Sequence, residues 1–129
     1  MERKKYLLDS NVFFTDYKCL EKFGDNEIYV TITVIEELCK HKSDDGLSGY
    51  NVRKSLKEIE ANEKIKVCFE YDEYPRLDMT INDNIIIAMA VNNECILVSN
   101  DVDIRIKSRK LFGLEAQEYE AEKVISVGE

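Results

Sequence analysis

The sequence lacks the features that mark membrane and secreted proteins. No run approaches the roughly 20 apolar residues that a membrane-spanning helix needs, and no basic segment precedes an apolar stretch of signal-peptide length. We therefore expect a soluble, cytoplasmic protein without a membrane partner. There is also no internal repeat, low-complexity segment or linker, so residues 1–129 are predicted to form a single domain.

The four cysteines are widely spaced and include no Cys-x-x-Cys pair. This absence argues against a zinc site or a redox motif. Cys68 and Cys95 stand among β-branched or aromatic neighbours, where a free thiol behaves as a small buried apolar group. All four thiols are therefore expected to be reduced, in an intracellular protein.

Basic residues are in the minority. The chain has 18 Lys and Arg against 26 Asp and Glu, which gives a formal net charge of −8. A protein that coats nucleic acid would present a basic surface, so this class is disfavoured. An acidic total is compatible with a small metal site that handles phosphates, because the metal supplies the positive charge.

Short apolar segments alternate with helical patterns along the chain. The predicted strands are 7–8, 28–32, 65–69, 95–99 and 116–119. The predicted helices are 15–24, a helix capped by Thr33, a helix from Ser48 or Tyr50 to Asn62, a nearly all-apolar helix that opens at 80–83, and a basic helix from about 101 to Gly113. Strands that alternate with helices imply βαβ units, and hence an α/β fold whose parallel sheet is covered on both faces.

Three segments are predicted to lie outside this pattern. Residues 43–49 form the one long polar loop and are expected to be the most flexible part of the chain. Residues 70–78, which include the only proline, are a connection, and the residues beyond Ala121 are interpreted as a frayed helix.

Four acidic residues recur at or near the ends of predicted strands or at the start of a helix. They are Asp9 after the first strand, Glu37 just after the second, Asp83 at the start of the apolar helix and Asp101 after the fourth strand. Right-handed crossovers bring the carboxyl ends of parallel strands to one edge, so these side chains are expected to converge. Converging carboxylates repel, and a hard cation such as Mg²⁺ or Mn²⁺ would remove the conflict. Phosphodiester hydrolysis is the chemistry of such a site.

Three of these acids also have a purely structural interpretation at the end of a helix. Asp9 and Asp101 suit helix caps or Asx-turns, with Asp103 doing the same work in the first turn after Asp101. Asp83 lies three residues after Thr80, a spacing that suits a capping arrangement. Each interpretation stands as an alternative when its residue is considered alone.

Glu37 suits a solvated helix face, and its neighbour Glu36 competes for any functional role. Successive helical residues point about 100° apart, so at most one of the two glutamates faces a common site. The occurrence of all four acids at one predicted edge favours a functional site over four independent structural roles.

Several segments, in their order and spacing, resemble the PIN domain, a nuclease fold, and in particular the PIN module at the N-terminus of PhoH-like proteins. They are LDSNV at 8–12, VIEEL at 34–38, GYNVR at 49–53, NDN at 82–84 and VSND at 98–101, followed by IRIK at 104–107. The resemblance extends from Leu7 to about Tyr119. It implies a three-layer α/β/α sandwich with a five-stranded parallel sheet of order 3-2-1-4-5. It also implies cleavage of single-stranded RNA that depends on Mg²⁺ or Mn²⁺.

The resemblance assigns roles to the polar residues of these motifs. The glutamate that precedes leucine is the matching one, which favours Glu37 over Glu36. The small polar positions would orient ligands or water. The implied catalytic, metal-binding acids are Asp9, Glu37, Asp83 and Asp101, with Asp103 as an additional ligand, and the small polar positions are Ser10, Asn11 and Ser99.

The implied partners differ between two groups of relatives. PhoH-like proteins of this type carry a P-loop NTPase domain after the PIN module, and this sequence has no G-x-x-x-x-G-K-[ST] motif. The chain is therefore a stand-alone relative or an excised domain. A second resemblance, to the toxin nucleases of toxin–antitoxin pairs, rests on the same acids and implies an antitoxin partner. A homo-oligomer is also left open.

Two basic clusters are candidates for binding RNA phosphates, with a solvated helix face as the alternative. We predict that Arg53, Arg105 and Lys107 bind the RNA; Lys54, Arg109 and Lys110 stand beside them. Tyr50 is either a base-stacking residue or an ordinary exposed tyrosine. His41, the only histidine, has no evident partner and is assigned no role.

Other functional classes explain less of the sequence. The same fold with an unused site would be a catalytically silent module that binds RNA or protein. A receiver-like signalling domain wants a phospho-accepting aspartate after the third strand, where Glu70 stands, and a haloacid-dehalogenase-like phosphatase wants an aspartate where Asn11 stands. We retain the binding module as the main rival to the nuclease.

Overall fold

The computed structural model describes residues 3–120. Its strands are β1 (Lys5–Leu8), β2 (Glu27–Thr31), β3 (Ile65–Cys68), β4 (Ile96–Val98) and β5 (Ala116–Gln117). Its α-helices are α1 (Ser10–Thr15), α2 (Ile32–Lys40), α3 (Gly46–Ala61), α4 (Asn82–Asn92) and α5 (Val102–Phe112), and a 3-10 helix covers Cys19–Phe23. The frayed helix predicted beyond Ala121 lies outside the described residues.

The five strands form one parallel sheet of order β3-β2-β1-β4-β5. Helices cover both faces, so the predicted three-layer α/β/α sandwich and the strand order 3-2-1-4-5 are confirmed. The chain leaves β1 towards β2 on one side and returns to β4 on the other. This reversal beside β1 creates the crevice at which open α/β sheets bind ligands.

The central strand β1 is the most deeply buried part of the sheet. Tyr6, Leu7 and Leu8 are almost fully buried, and the Tyr6 ring packs against Phe23 at 4.9 Å between centroids. The apolar helix α4 is buried over most of its length, as predicted. All four cysteines are free, and Cys68 and Cys95 are buried as expected; burial raises the pKa of the Cys68 thiol to about 11.

The first helix differs from the prediction. A helix was expected over 15–24, but α1 begins at Ser10 and ends at Thr15, and only a 3-10 helix follows. The reason is a local hydrogen bond: the Asp9 carboxylate accepts from the backbone N–H of Ser10 and starts a helix directly after β1. Gly24, at φ 58°, then ends the 3-10 helix.

The cap of α2 also differs from the prediction. Thr31, not Thr33, is the N-cap, and its hydroxyl accepts from the backbone N–H of Val34 at 3.0 Å. Thr33 instead shares a hydrogen bond between the two threonine hydroxyls. The helix therefore begins two residues earlier than the sequence pattern suggests, which does not change the positions of its acidic residues.

The predicted loop at 43–49 is wrong over its second half, because α3 already begins at Gly46. Gly49 lies inside this helix, directly beneath the backbone of the preceding turn. A Cβ atom on Gly49 would stand 1.9 Å from the Asp44 carbonyl oxygen. Arg53 fixes the same turn, since its guanidinium donates to the carbonyls of Lys42 and Asp44, each at 3.0 Å.

Among the described residues, no helix is both long enough and apolar enough to cross a membrane.

Candidate metal centre

We call the edge of the sheet to which Asp9, Glu37, Asp83, Asp101 and Asp103 were predicted to belong the acidic edge, and Asp9 is its most buried acid. It follows the last residue of β1 and is only 3% exposed. One carboxylate oxygen accepts from the Ser10 N–H at 2.8 Å; the other accepts from the Asn11 side-chain amide at 3.0 Å and from the Ser99 hydroxyl at 2.7 Å. Burial raises the pKa of Asp9 above its ordinary value, although the hydrogen bonds from Ser99 and Ser10 oppose the shift.

Ser99 and Asn11 tie the ends of β1 and β4 together. The buried Ser99 hydroxyl donates to Asp9 and accepts from the backbone N–H of Asp101 at 3.0 Å. The Asn11 side-chain oxygen accepts from the backbone N–H of Asn100 at 3.1 Å. Ser99 and Asn11 therefore fix the position of the backbone at Asp101 relative to that at Asp9. Ser10 contributes only its backbone N–H, which donates to the Asp9 carboxylate.

Asp83 occupies the first turn of α4. The alternative in which Thr80 caps this helix is not formed, because the Thr80 hydroxyl donates to Asp78 and the N-cap, Ile81, makes no side-chain cap. Asp83 is exposed, but the neighbouring protein still desolvates its carboxylate enough to raise its pKa, and the nearby Asp101 raises the pKa further. Asp83 also interacts electrostatically with three other acids predicted for the site, which are Asp9, Glu37 and Asp103.

Asp101 combines a structural contact with a place in the site. It is the N-cap of α5, and one of its carboxylate oxygens accepts from the backbone N–H of Asp103 at 2.9 Å. The capping interpretation is therefore correct in its geometry. The cap does not stop Asp101 from interacting with the other acids, because its charge raises the pKa of both Asp9 and Asp83.

The structure distinguishes Glu37 from Glu36. Glu36 is exposed, whereas the Glu37 side chain is 40% exposed and its carboxylate lies 3.3 Å from His41 Nε2. The other ring nitrogen of His41 is 2.7 Å from the Asp44 carboxylate, and the ring packs edge-on against Phe14. Glu37 is thus held at one end of a chain of contacts that runs through His41 to Asp44. Its negative charge raises the pKa of Asp83.

The prediction that His41 has no evident partner was wrong. Its two acidic partners raise its pKa, with the hydrogen bond to Asp44 as the largest cause. The i, i+4 spacing from Glu37 to His41 along α2 was a usable signal for one of these contacts. The contact with Asp44 depends on the turn after α2, whose backbone is set by Gly49 and Arg53.

The three predicted RNA-binding cations each already have a hydrogen-bond partner in the protein. Arg105 donates to the backbone carbonyl of Ser99 at 2.8 Å, and Lys107 donates to the side-chain oxygen of Asn84 at 3.0 Å. The Lys107 ammonium also lowers the pKa of Asp83, so it lies close to the acidic edge. Arg53 binds the turn after α2 instead. Their role in binding RNA stays a prediction.

The donor chemistry of this edge fits a hard divalent cation. Its acidic ligand candidates offer carboxylate oxygens, the donors that Mg²⁺ and Mn²⁺ prefer, and a bound cation would relieve their mutual repulsion. Within residues 3–120, no three His, Cys, Asp or Glu side chains are grouped as a metal-binding cluster. The fit is therefore one of chemistry and charge.

The profile of the PIN domain family matches residues 6–120. The chain belongs to the PIN domain family. Protein PhoH2 of Thermobispora bispora is 27% identical over 151 residues, which cover 98% of this chain and 34% of PhoH2. The chain thus spans about a third of the length of this curated relative.

Solved structures share the fold of this PIN domain. The PilT N-terminus domain protein SSO1118 of Sulfolobus solfataricus P2 has a TM-score of 0.65 at 15% identity, covering 88% of this chain and 86% of that chain. The PIN domain endonuclease Utp24 has a TM-score of 0.59 at 17% identity, covering 97% and 96%. At these identities the likeness shows the fold alone. PIN domains are in general nucleases.

The raised pKa of Asp83 predicts a pH-dependent stability for the metal-free PIN domain. Ionising Asp83 costs more free energy in the folded state than in the unfolded chain. The protonated form therefore favours folding, and this contribution to the free energy of unfolding is lost as the pH rises above about 3.8. In EDTA at pH 7, Asp83→Asn is expected to raise the melting temperature by roughly 1–3 °C, a small effect because the group is partly solvated. The gain should shrink as the pH falls towards 3.8.

Differential scanning fluorimetry across this pH range would measure the effect. Asp25→Asn is the matched control, because Asp25 is an exposed aspartate in the turn before β2. A melting temperature for Asp83→Asn that is lower than wild type at pH 7 would contradict the electrostatic account.

Proposed function

We propose that this PIN domain, treated as one domain over residues 1–129, is a metal-dependent endoribonuclease that hydrolyses phosphodiester bonds of single-stranded RNA. The observation that supports the proposal is the mutual electrostatic effect of acidic side chains from separate segments, since Asp101 raises the pKa of both Asp9 and Asp83. The Ser99 hydroxyl links the Asp9 carboxylate to the backbone N–H of Asp101. Asp83 raises the pKa of Asp9, and Glu37 raises that of Asp83.

The proposed ligands of the metal are Asp9, Glu37, Asp83 and Asp101, with Asp103 as an additional ligand. A bound Mg²⁺ or Mn²⁺ would lower the pKa of a water ligand and offset charge on the attacking and leaving oxygens. The chain's own contribution is orientation. The Ser10 N–H, Asn11 and Ser99 fix the Asp9 carboxylate, and His41 fixes Glu37.

Lys107 is the proposed phosphate-binding cation nearest to the acids. Its ammonium is held by Asn84, which is itself anchored through a hydrogen bond to the Asp78 carbonyl at 2.9 Å. A fixed ammonium beside Asp83 suits a phosphate of the RNA backbone. Arg105, held by the Ser99 carbonyl, and Arg53 are proposed to make further phosphate contacts.

The partners and compartment are part of the proposal. Since PhoH2 extends well beyond the matched segment, we propose that a P-loop NTPase domain acts with this PIN domain. An antitoxin or a second copy of the chain is the alternative partner, and the cytoplasm is the proposed compartment. Each of these partners would determine in a different way how an acidic domain is brought to its RNA.

Cleavage of a labelled single-stranded RNA in Mn²⁺, Mg²⁺ or EDTA tests the function. Wild type should cleave in either metal and not in EDTA. Glu37→Gln should cleave at least roughly 10–100-fold more slowly, because loss of a residue that only orients a metal ligand already has an effect of this size. Glu36→Gln is the matched control, because it removes the same charge one residue away on an exposed side chain.

Equal cleavage by wild type and Glu37→Gln, or cleavage that survives EDTA, would point to a contaminating nuclease. If no variant cleaves RNA but Mn²⁺ raises the melting temperature of wild type, the catalytically silent binding module would replace the nuclease.

A further inference from the structure

A second candidate site lies along α3 and shares no residue with the acidic edge. A cleft of about 390 Å³ runs between the segment around the 3-10 helix and one side of α3. Because α3 leads to the start of β3, its last turns lie towards the amino edge of the sheet, opposite the carboxylates. The cleft is lined by Tyr17, Lys18, Leu20, Glu21, Lys54, Lys57, Glu58 and Ala61. Its volume is within the range of about 300–1,000 Å³ typical of ligand sites.

Tyr17 lines this cleft, and the ring of Tyr50 packs against it from beside the cleft. Tyr17 and Tyr50 pack edge to face, with centroids 5.6 Å apart and ring planes at 88°. Tyr50 remains 41% exposed. An edge-to-face pair leaves ring surface open to a planar group, so the pair can accept a stacked base.

Three lysines accompany these rings. The ammonium of Lys18 lies 5.7 Å from the centre of the Tyr17 ring, and that of Lys54 lies 5.5 Å from the centre of the Tyr50 ring. Within residues 3–120, neither these lysines nor Lys57 forms an ion pair. Glu21 and Glu58 line the same cleft without pairing to them. In a chain of net charge −8, the three ammonium groups outnumber the two carboxylates of the cleft, and this local positive charge beside aromatic rings suits an anion with a planar ring.

We propose that the cleft residues Tyr17, Lys18, Lys54 and Lys57, together with the adjoining Tyr50, bind a stretch of single-stranded RNA outside the acidic edge. A base stacks on the tyrosine pair, and the adjoining phosphates contact the lysines. The choice of RNA rests on the proposed function. An acidic peptide would satisfy the lysines but would leave the exposed face of Tyr50 unused.

Binding in EDTA tests the cleft without any cleavage. The fluorescence anisotropy of a labelled 12-residue oligouridine would be followed with wild type, Lys54→Gln/Lys57→Gln and Tyr50→Leu. The lysine double variant should raise Kd at least tenfold and reduce the slope of log K against log salt by about 1.4, at roughly 0.7 per phosphate contact on a single strand. Tyr50→Leu should raise Kd roughly tenfold with an unchanged salt slope. Lys4→Gln/Lys64→Gln, with two exposed lysines elsewhere, is the charge-matched control and should bind as wild type does.

The inference is overturned if wild type does not bind the oligouridine, if the cleft variants bind as tightly as the control, or if polyglutamate competes as well as unlabelled RNA. The last result would identify an acidic polypeptide as the ligand. Metal-dependent cleavage by wild type is assayed separately on the same preparations. Binding that depends on the cleft residues without any cleavage would contradict only the nuclease proposal. Metal-dependent cleavage without such binding would contradict only the cleft proposal.

Discussion

Asp9→Asn is expected to slow metal-dependent RNA cleavage by at least about 10²–10³-fold, the scale at which enzymes lose preorganised electrostatic stabilisation. Asp9 is the most buried of the proposed ligands, and its carboxylate receives three hydrogen bonds that fix its direction. Asparagine keeps the shape but removes the negative charge and one acceptor oxygen. The same variant should lose most of the rise in melting temperature that Mn²⁺ gives to wild type.

The measurement is the single-turnover cleavage rate in Mn²⁺, paired with melting curves in Mn²⁺ and in EDTA. Asp25→Asn again serves as the charge-matched control and should retain both the rate and the metal-induced stabilisation. A rate for Asp9→Asn within a few-fold of wild type would remove Asp9 from the metal centre. A variant that is unfolded in EDTA would be replaced by Asp83→Asn, whose charge loss is expected to stabilise the metal-free fold.

The sequence was sufficient to predict the fold, whereas the convergence of the acids on one metal stays a prediction. The strand order follows from the family resemblance, and the alternation of strands and helices fixes which ends share an edge. Asp9 and Asp101 could be assigned to that edge because Asp9 directly follows β1 and Asp101 lies in the short connection after β4. Their hydrogen bonds through Ser99 could not be predicted, because they depend on how β1 and β4 are aligned in the sheet.

What the sequence did not predict depends on contacts between segments that are remote or irregular. A Ser- and Gly-rich stretch ordinarily predicts a loop, yet Gly46 begins α3, and Gly49 sits in its first turns because a backbone passes directly over it. His41 looked unpartnered because Asp44 belongs to that same turn. In both cases tertiary packing outweighed the local pattern.

Gly49→Ala is expected to destabilise the protein by about 2–4 kcal/mol, at or above the upper end of the usual overpacking cost of roughly 1–3 kcal/mol. The added Cβ would stand 1.9 Å from the carbonyl oxygen of Asp44 and 2.6 Å from its carbon. Backbone atoms, unlike a flexible side chain, cannot move away independently, so the turn after α2 must shift. At an unobstructed helical position the same substitution stabilises by roughly 0.5–1 kcal/mol, so the sign of the effect is diagnostic.

Chemical denaturation of Gly49→Ala and of Ser48→Ala, an exposed neighbour in the same helix, would measure the effect. The shift has a consequence for the acidic edge, because the displaced residue is Asp44, whose carboxylate holds His41 against Glu37. Gly49→Ala should therefore also weaken the stabilisation by Mn²⁺ under conditions where it remains folded, whereas Ser48→Ala should not. Stability equal to or above that of wild type would mean that the backbone at Asp44 does not contact Gly49 as closely as described. The proposed link from Gly49 through Asp44 and His41 to Glu37 would then be wrong.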